Sequence, residues 1–488
     1  MPAGLYVLVA YGAQDIYLTG GNPEINHFKY TLKTHAHHAK EVVIFNPEGY
    51  SGPPEKQKTN EIKFPITRIG DLLHSTNLLY TLPALKVPHH TQVDNPYSQI
   101  RWIKKPGIGL IDEIKVNVGG TEVQTLDRDR MLSIYYTDLS VDERTLYNKM
   151  IGDIPDLVSP EIGPYQRTDT ITDPSGDDTT YPYTTESDTF SLPETRLRIP
   201  LLTWFTRSLE KALPVGFLTR HECVITIRTR PWRDLIQIRD TENSDWISPP
   251  SDFKLDEYLV SAWEPNPLLE GVYYFLNDTV RTQMAREEIR VPVFQLRRYT
   301  KTTAQSRSYF ANSSGVETNI MANLSSVTFN LRQESNPVSR MFILARRDDF
   351  NTQNNWTRLG NWDIENIGRD GSGNIYSYTD NIIHSSTFKL NGNEIFEDLP
   401  FEYMSLYDPY VHSTGSGNSG IGCYSFGIHN TPIRSTGTVN LGRVRDPTLT
   451  VNVTPSGISP SGYDIILFIE SVNWFRYRNG YAGIMYST

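Results

Sequence analysis

Two cysteines, Cys223 and Cys423, are all that 488 residues contain, which excludes a disulfide framework or a cysteine-rich zinc cluster and fits a reducing compartment. Positive charge is short as well: 46 basic residues stand against 56 acidic ones, for a net charge of −10. No Lys/Arg block forms an arm at either end, and a phosphate backbone is bound through clustered cations, so direct contact with nucleic acid is not expected. No stretch approaches the roughly 18 to 20 apolar residues that cross a bilayer as a helix. The opening run from Met1 to Ala10 lacks the basic flank of a secretory signal and is broken by Gly12, Gln14 and Asp15, so synthesis in the cytosol is the expectation. Apolar stripes of helical period are scarce too.

What recurs instead is the period of two. Ile62, Phe64 and Ile66 alternate with Lys63, Pro65 and Thr67, the pattern of a strand with one buried and one wet face. Further runs are Ile114 to Val118, Cys223 to Ile227, Val327 to Leu331, Leu449 to Val453 and Ile465 to Ile469. Such runs, separated by Gly, Pro, Asn and Asp, predict an all-β protein of sandwiches or barrels. The length accommodates two such units. Val118-Gly119-Gly120-Thr121-Glu122-Val123 is echoed by Leu390-Asn391-Gly392-Asn393-Glu394-Ile395. Each reads as a hairpin with a tight turn, either once per duplicated half or as two unrelated turns.

Between Arg167 and Arg196 there is no Lys or Arg, while Asp169, Asp173, Asp177, Asp178, Glu186, Asp188 and Glu194 accumulate; this reads as a long, solvated surface excursion. Polar excursions also run over 300–323 and 413–422. The stretch from Pro231 to Pro267, with Trp232, Trp246 and Trp263, is the candidate link between halves, packed by its aromatics. The basic pairs Arg297-Arg298 and Arg346-Arg347 read as solvated faces or subunit contacts.

Chemistry is thinly signalled. His35, His37 and His38, and His89-His90, lack a companion carboxylate or Cys at metal-ligand spacing, so no metal and no cofactor are expected. Gly119-Gly120 and Gly415-Ser416-Gly417 lack the Lys-Ser/Thr of a phosphate loop and read as turns. The acid pairs Asp177-Asp178 and Asp348-Asp349 would point opposite ways in an extended chain. No catalytic residue is assigned. Among the Asn-x-Ser/Thr acceptors, Asn312 in the second polar excursion is the candidate for glycan attachment, against unmodified asparagine.

The segment Tyr11-Gly12-Ala13-Gln14-Asp15-Ile16-Tyr17-Leu18-Thr19-Gly20-Gly21-Asn22-Pro23, followed by Phe28-Lys29, resembles the amino-terminal signature of the major capsid proteins of nucleocytoplasmic large double-stranded DNA viruses. Gly70-Asp71-Leu72-Leu73-His74, Ile199-Pro200-Leu201-Leu202-Thr203-Trp204-Phe205, Tyr407-Asp408-Pro409-Tyr410 and Asn479-Gly480-Tyr481-Ala482-Gly483 are similar to later blocks of that family, in the same order. The resemblance implies a double jelly roll, two tandem eight-stranded jelly rolls with long loop insertions and few short helices. The expected division is 1–235 for the first roll, including the acidic loop near 167–196, 236–262 for the connector and 263–488 for the second roll. It further implies a structural, non-enzymatic protein of the virion capsid, assembled in the host cytoplasm. A homotrimer would form a pseudo-hexameric capsomer of an icosahedral shell, meeting neighbouring capsomers, minor capsid proteins and the internal virion membrane. A divergent minor capsid paralogue of the same fold and a β-sandwich glycan-binding attachment protein are the alternatives.

Overall fold

The computed structural model describes residues 28, 30, 34–50, 52–55, 57–86, 97–159, 168–172, 178–182, 192–240, 246–303, 309–311, 317–319, 325–357, 359–360, 381–415, 417–418, 420–430, 436–453 and 463–486. Met1–His38 and Ala39–Thr488 are two compact units, and the architecture below is that of the second.

Its principal strands, numbered in chain order, are β1 (His38–Phe45), β2 (Asn60–Ile66), β3 (Leu72–Leu82), β4 (Ile111–Val118), β5 (Thr121–Asp127), β6 (Thr195–Pro200), β7 (Cys223–Thr229) and β8 (Leu268–Leu276) in the first half. The second half holds β9 (Ile289–Thr303), β10 (Ser325–Asn330), β11 (Pro337–Arg347), β12 (Ile383–Leu390), β13 (Asn393–Pro400), β14 (Ile421–Ser425), β15 (Pro447–Val453) and β16 (Tyr463–Arg478). Shorter strands are named by their residues.

The first half pairs its strands as β1-β8-β3-β6 and β2-β7-β4-β5, and the second as β9-β16-β11-β14 and β10-β15-β12-β13. Adding eight to each label of the first pair of sheets reproduces the second pair. The order is that of a jelly roll, two antiparallel sheets of four principal strands stacked face to face, and it occurs twice, with Val439–Asn440 and Tyr481–Ile484 added to one sheet of the second. β8 lies downstream of the expected connector yet pairs with β3 from Leu268↔Leu79 to Tyr274↔Leu72.

Alternation in sequence becomes alternation in burial. Ile62, Phe64 and Ile66 of β2 and Cys223, Ile225 and Ile227 of β7 face the first core. Leu449, Val451 and Val453 of β15 face the second, together with Phe388 and Met341. The two echoed turns are both tight hairpins, β4–β5 and β12–β13. Gly119 and Gly120 sit at φ 59° and 78°, and Asn391 and Gly392 at 53° and 80°. Positive φ at both central residues gives the turn whose twist matches the flanking strands.

Helices are few and short. α1 (Arg128–Thr137) and α2 (Val141–Ile151) follow β5, and α3 (Asp278–Arg286) bridges β8 and β9. A Ser140/Glu143 capping box starts α2, and Gly152 at φ 82° stops it. Within the stretch 231–267, Trp232 and Trp263 are buried, while Trp246 lies 3.9 Å under the Arg101 guanidinium. Ile236–Asp240 pairs with Tyr97–Trp102. Within the acidic excursion, Thr168–Thr172 and Asp178–Pro182 form a hairpin.

Candidate functional site

The strand runs of β11 and β16 do not alternate. Met341-Phe342-Ile343-Leu344-Ala345 and Ile465-Ile466-Leu467-Phe468-Ile469 are buried at every position, which requires both faces of their sheet to be covered. Met341, Ile343, Ile465, Leu467 and Ile469 point into the second roll's own core. Phe342, Leu344, Ile466 and Phe468 point the other way and pack on Leu132 of α1, whose Met131 and Ile134 belong to the first roll's core. α1 is therefore a wedge, buried almost all round, between one roll's interior and the outer face of the other's sheet.

Charged residues flank this apolar patch. On the sheet, Arg340 lies opposite Glu470 in the ladder and donates to it at 2.8 Å; Arg130 of α1 donates to the same carboxylate from the other roll. Asp138, which caps the carboxyl end of α1, accepts from Arg340 at 2.7 Å and from Arg207. At the other end of the helix, Asp129 receives Arg128, Arg346 and Arg298, each at 3.2 Å. Asp127, the N-cap that accepts from the Arg130 amide at 2.9 Å, receives Arg298 at 2.6 Å.

Three of these carboxyls, Glu470, Asp129 and Asp138, are ionised by their neighbours despite their burial, whereas burial and the adjacent Asp129 push Asp127 up. Burial pushes Glu470 up, but the guanidiniums of Arg340 and Arg130 outweigh it and bring the group down to about 2. Against the same opposing burial, Arg128, Arg346 and Arg298 hold Asp129 far below the ordinary carboxylate range, and Arg340 and Arg207 do so for Asp138. Buried ion pairs gain little over an apolar replacement, yet losing one partner strands a charge at a cost of about 3 to 5 kcal/mol. The lattice thus specifies how the rolls meet more than it adds stability. Gln124 of β5 adds a neutral crossing, donating to the Phe294 carbonyl at 3.1 Å and accepting from the Trp204 amide at 3.0 Å. Beyond β11, Asn354 donates to the carbonyls of Arg233 and Ile236 at 2.7 and 2.8 Å, tying the second roll to the start of the strand Ile236–Asp240.

Two family models match the chain: "Major capsid protein N-terminus" over residues 27–260 and "Large eukaryotic DNA virus major capsid protein" over residues 281–483. The chain belongs to the major capsid protein family of large eukaryotic DNA viruses. Similar members include the major capsid protein of Phaeocystis pouchetii virus, 25% identical, and that of Paramecium bursaria Chlorella virus 1, 22% identical, each alignment covering 100% of both chains. Among solved structures, the PBCV-1 virus capsid superposes with a TM-score of 0.66 at 16% identity, over 95% of this chain and 100% of the other. The Faustovirus major capsid protein gives 0.63 at 13% identity, over 96% of each. The expected double jelly roll is the fold of this capsid protein.

The capsid signature itself, Tyr11, Gly12, Ala13, Gln14, Asp15, Leu18, Thr19, Gly20, Asn22, Pro23 and Lys29, lies outside the described residues, as do Asn312 and His89-His90. Phe28 is described and exposed. His35, His37 and His38 are exposed, and no His/Cys/Asp/Glu group suited to a metal occurs among the described residues. His74 shares a 2.7 Å hydrogen bond with the Phe205 carbonyl. Cys223 and Cys423 are free and buried.

One expectation needs correction. Arg346 and Arg347, assigned from sequence to a solvated face or a subunit contact, are 5% and 4% exposed, because β11 is covered on both sides and Arg346 serves Asp129 of the same chain. Arg298 likewise reaches across to Asp127 and Asp129. Sequence reading passed over Arg128-Asp129-Arg130 and Glu470 altogether. Charges adjoining an uninterrupted apolar run were the available signal, since such charges are carried into the interior with the strand.

Proposed function

We propose that three copies of this capsid protein close head to tail into a capsomer of pseudo-sixfold outline, and that capsomers tile the icosahedral shell of a large double-stranded DNA virus. The observation that carries this reading is the repeated strand order combined with an unequal use of the segment that follows each hairpin. In the first roll, α1 follows β5 and docks on the outer face of the second roll's β9-β16-β11-β14 sheet. In the second roll, the helical segment 401–412 follows β13 at the corresponding place, but it packs on its own β14 and anchors Phe401 and Met404 in its own core. Leu406, Tyr407, Tyr410 and Val411 are left exposed, Tyr410 at 81%.

The matching acceptor is the outer face of β1-β8-β3-β6, where Val42 and Ile44 are exposed and Val272 and Tyr274 half-buried. If the second roll's helix meets this face on the next copy, the contact inside one chain is repeated between chains. Such head-to-tail contacts close into a ring when the rotation permits, and two rolls per chain then give six around a threefold axis. The interface would bury on the order of 2,000 Å² or more, as obligate assemblies do.

The same reading places the boundary between the rolls after β8, with the first roll ending at Leu276, α3 as the link and the second roll opening at Ile289, later than the division expected at 263. The acidic excursion after Arg167 would form an outward tower. Other partners would be neighbouring capsomers, minor capsid proteins and the internal virion membrane, with no direct genome contact, assembly in the host cytoplasm and no catalysis. The alternative of a minor capsid subunit of the same fold differs in copy number within purified virions. Native mass measurement tests the central claim: a species near three times 55.7 kDa is expected, and a stable monomer at micromolar concentration overturns it.

A further inference from the structure

A cavity of about 470 Å³ opens at the Asp129 end of the seam, where β4, β5 and β7 of the first roll face β9, β11 and β16 of the second. Six guanidiniums line it, those of Arg128, Arg130, Arg228, Arg230, Arg298 and Arg346. Four carboxylates line it too: Asp112, Glu113, Asp127 and Asp129. Two of the six guanidiniums are also held from outside the lining, Arg130 by Glu470 and Arg230 by Asp234 at 3.3 Å, so guanidiniums and carboxylates balance in number.

The acids are already committed. Asp112 holds Arg228 at 2.6 Å and Arg230 at 2.9 Å, Glu113 holds Arg228 at 3.3 Å, and Asp127 and Asp129 are engaged as described above. The arginines that they hold still have N–H groups left over: Arg128 Nη1, Arg346 Nε and Arg230 Nε are buried without a hydrogen-bond partner among the described residues. The Arg128 and Arg346 side chains are only 4% and 6% exposed, so bulk water does little to satisfy them, and an unmet buried donor is destabilising, more so when charged.

Aromatic rings fix these guanidiniums in place. Trp356 is shared by Arg128 at 4.6 Å and Arg230 at 4.2 Å, and Phe350 lies 4.2 Å from Arg346. Stacking occupies the flat face of a guanidinium and leaves its N–H edge for planar recognition of an oxyanion. We propose that this cavity is a binding site for an oxyanion of the phosphate class, which takes up the unpaired N–H groups. Because Arg128, Arg230, Arg298 and Arg346 come from both rolls, such a ligand would brace the seam.

The experiment is thermal unfolding of the full-length protein against increasing phosphate, with chloride balancing ionic strength. A ligand that binds only the folded state raises the midpoint along a saturating curve, whereas the general salting-out effect of phosphate does not saturate. Saturation is expected in the wild type, with affinity reduced tenfold or more in Arg230→Gln and in Arg228→Gln, the latter at the half-exposed mouth and so the variant kept should the former fail to fold. A non-saturating rise identical in the wild type and Arg228→Gln overturns the proposal. Repeating the titration with adenosine 5′-monophosphate separates the sources: tighter binding than inorganic phosphate assigns a phosphomonoester, equal or weaker binding assigns the free ion, and saturation by neither overturns the site.

Discussion

α1 and the segment 401–412 leave their hairpins at the same point of the same strand order, yet one is buried between two rolls and the other presents four apolar side chains to solvent. Their sequences carry the difference. α1 opens on Arg128-Asp129-Arg130, charges that find Glu470, Arg298 and Arg346 on the opposing sheet. The segment 401–412 carries Tyr407, Tyr410 and Val411 instead, and its one buried acid, Asp408, is spent within its own roll on the Ser425 amide and hydroxyl at 3.1 and 2.8 Å. A contact made once within a chain can be fixed by charges that tolerate a single register. A contact made between copies after folding has to remain soluble until then, and scattered aromatics satisfy that better than stranded buried charges.

The comparison breaks most sharply at Glu470. Glu470→Ala leaves Arg130 and Arg340 buried without their shared partner, and a loss of about 3 to 5 kcal/mol is expected in denaturant unfolding of the isolated protein. Tyr407→Glu combined with Tyr410→Glu should do the reverse. Unfolding of the single chain should change by less than about 0.5 kcal/mol, as at exposed sites, while native mass should show the proposed trimer weakened by about 2 to 4 kcal/mol of association, the scale of central aromatic anchors.

Acid should reach the two contacts differently as well. Glu470 falls from 4.5 to about 2 on folding, so its contribution is complete above about pH 4.5 and is lost as the pH drops toward 2. Asp129 and Asp138, also held low, reinforce the same direction. Chain stability measured across that window should decline, and added salt should alter it little because the pairs are buried.

The smallest effect sharpens the likeness of the rolls. Gly120→Ala and Gly392→Ala, both at positive φ with open space around a new Cβ, should each cost about 1 to 2 kcal/mol and match one another. Gly119→Ala should cost more, since its Cβ would meet the His221 ring at 2.6 Å.

Much of this was legible in sequence. Period-two burial in β2, β7 and β15, the paired hairpins and the burial of Trp232 and Trp263 follow from local chemistry that a single strand or turn carries by itself. The seam was not legible, because its partners are hundreds of residues apart: Arg130 and Glu470 are brought together only once both rolls exist. Arg346-Arg347 misled for the same reason, as two adjacent cations look solvent-bound until the covering helix is known. The pairing of β8 with β3 was not legible either, because it joins residues far apart in the chain.

The placement of β8 also bears on synthesis. β1 has β8 as its partner in the sheet and β8 separates it from β3, so a nascent chain halted anywhere before Leu268 holds β1, the first of the described strands, without its sheet neighbour. Such an exposed edge invites aggregation and proteolytic attack. The ribosome must pass the midpoint of the message before the first half can close, and the last residues of that half appear almost immediately ahead of α3 and the strand that begins the next.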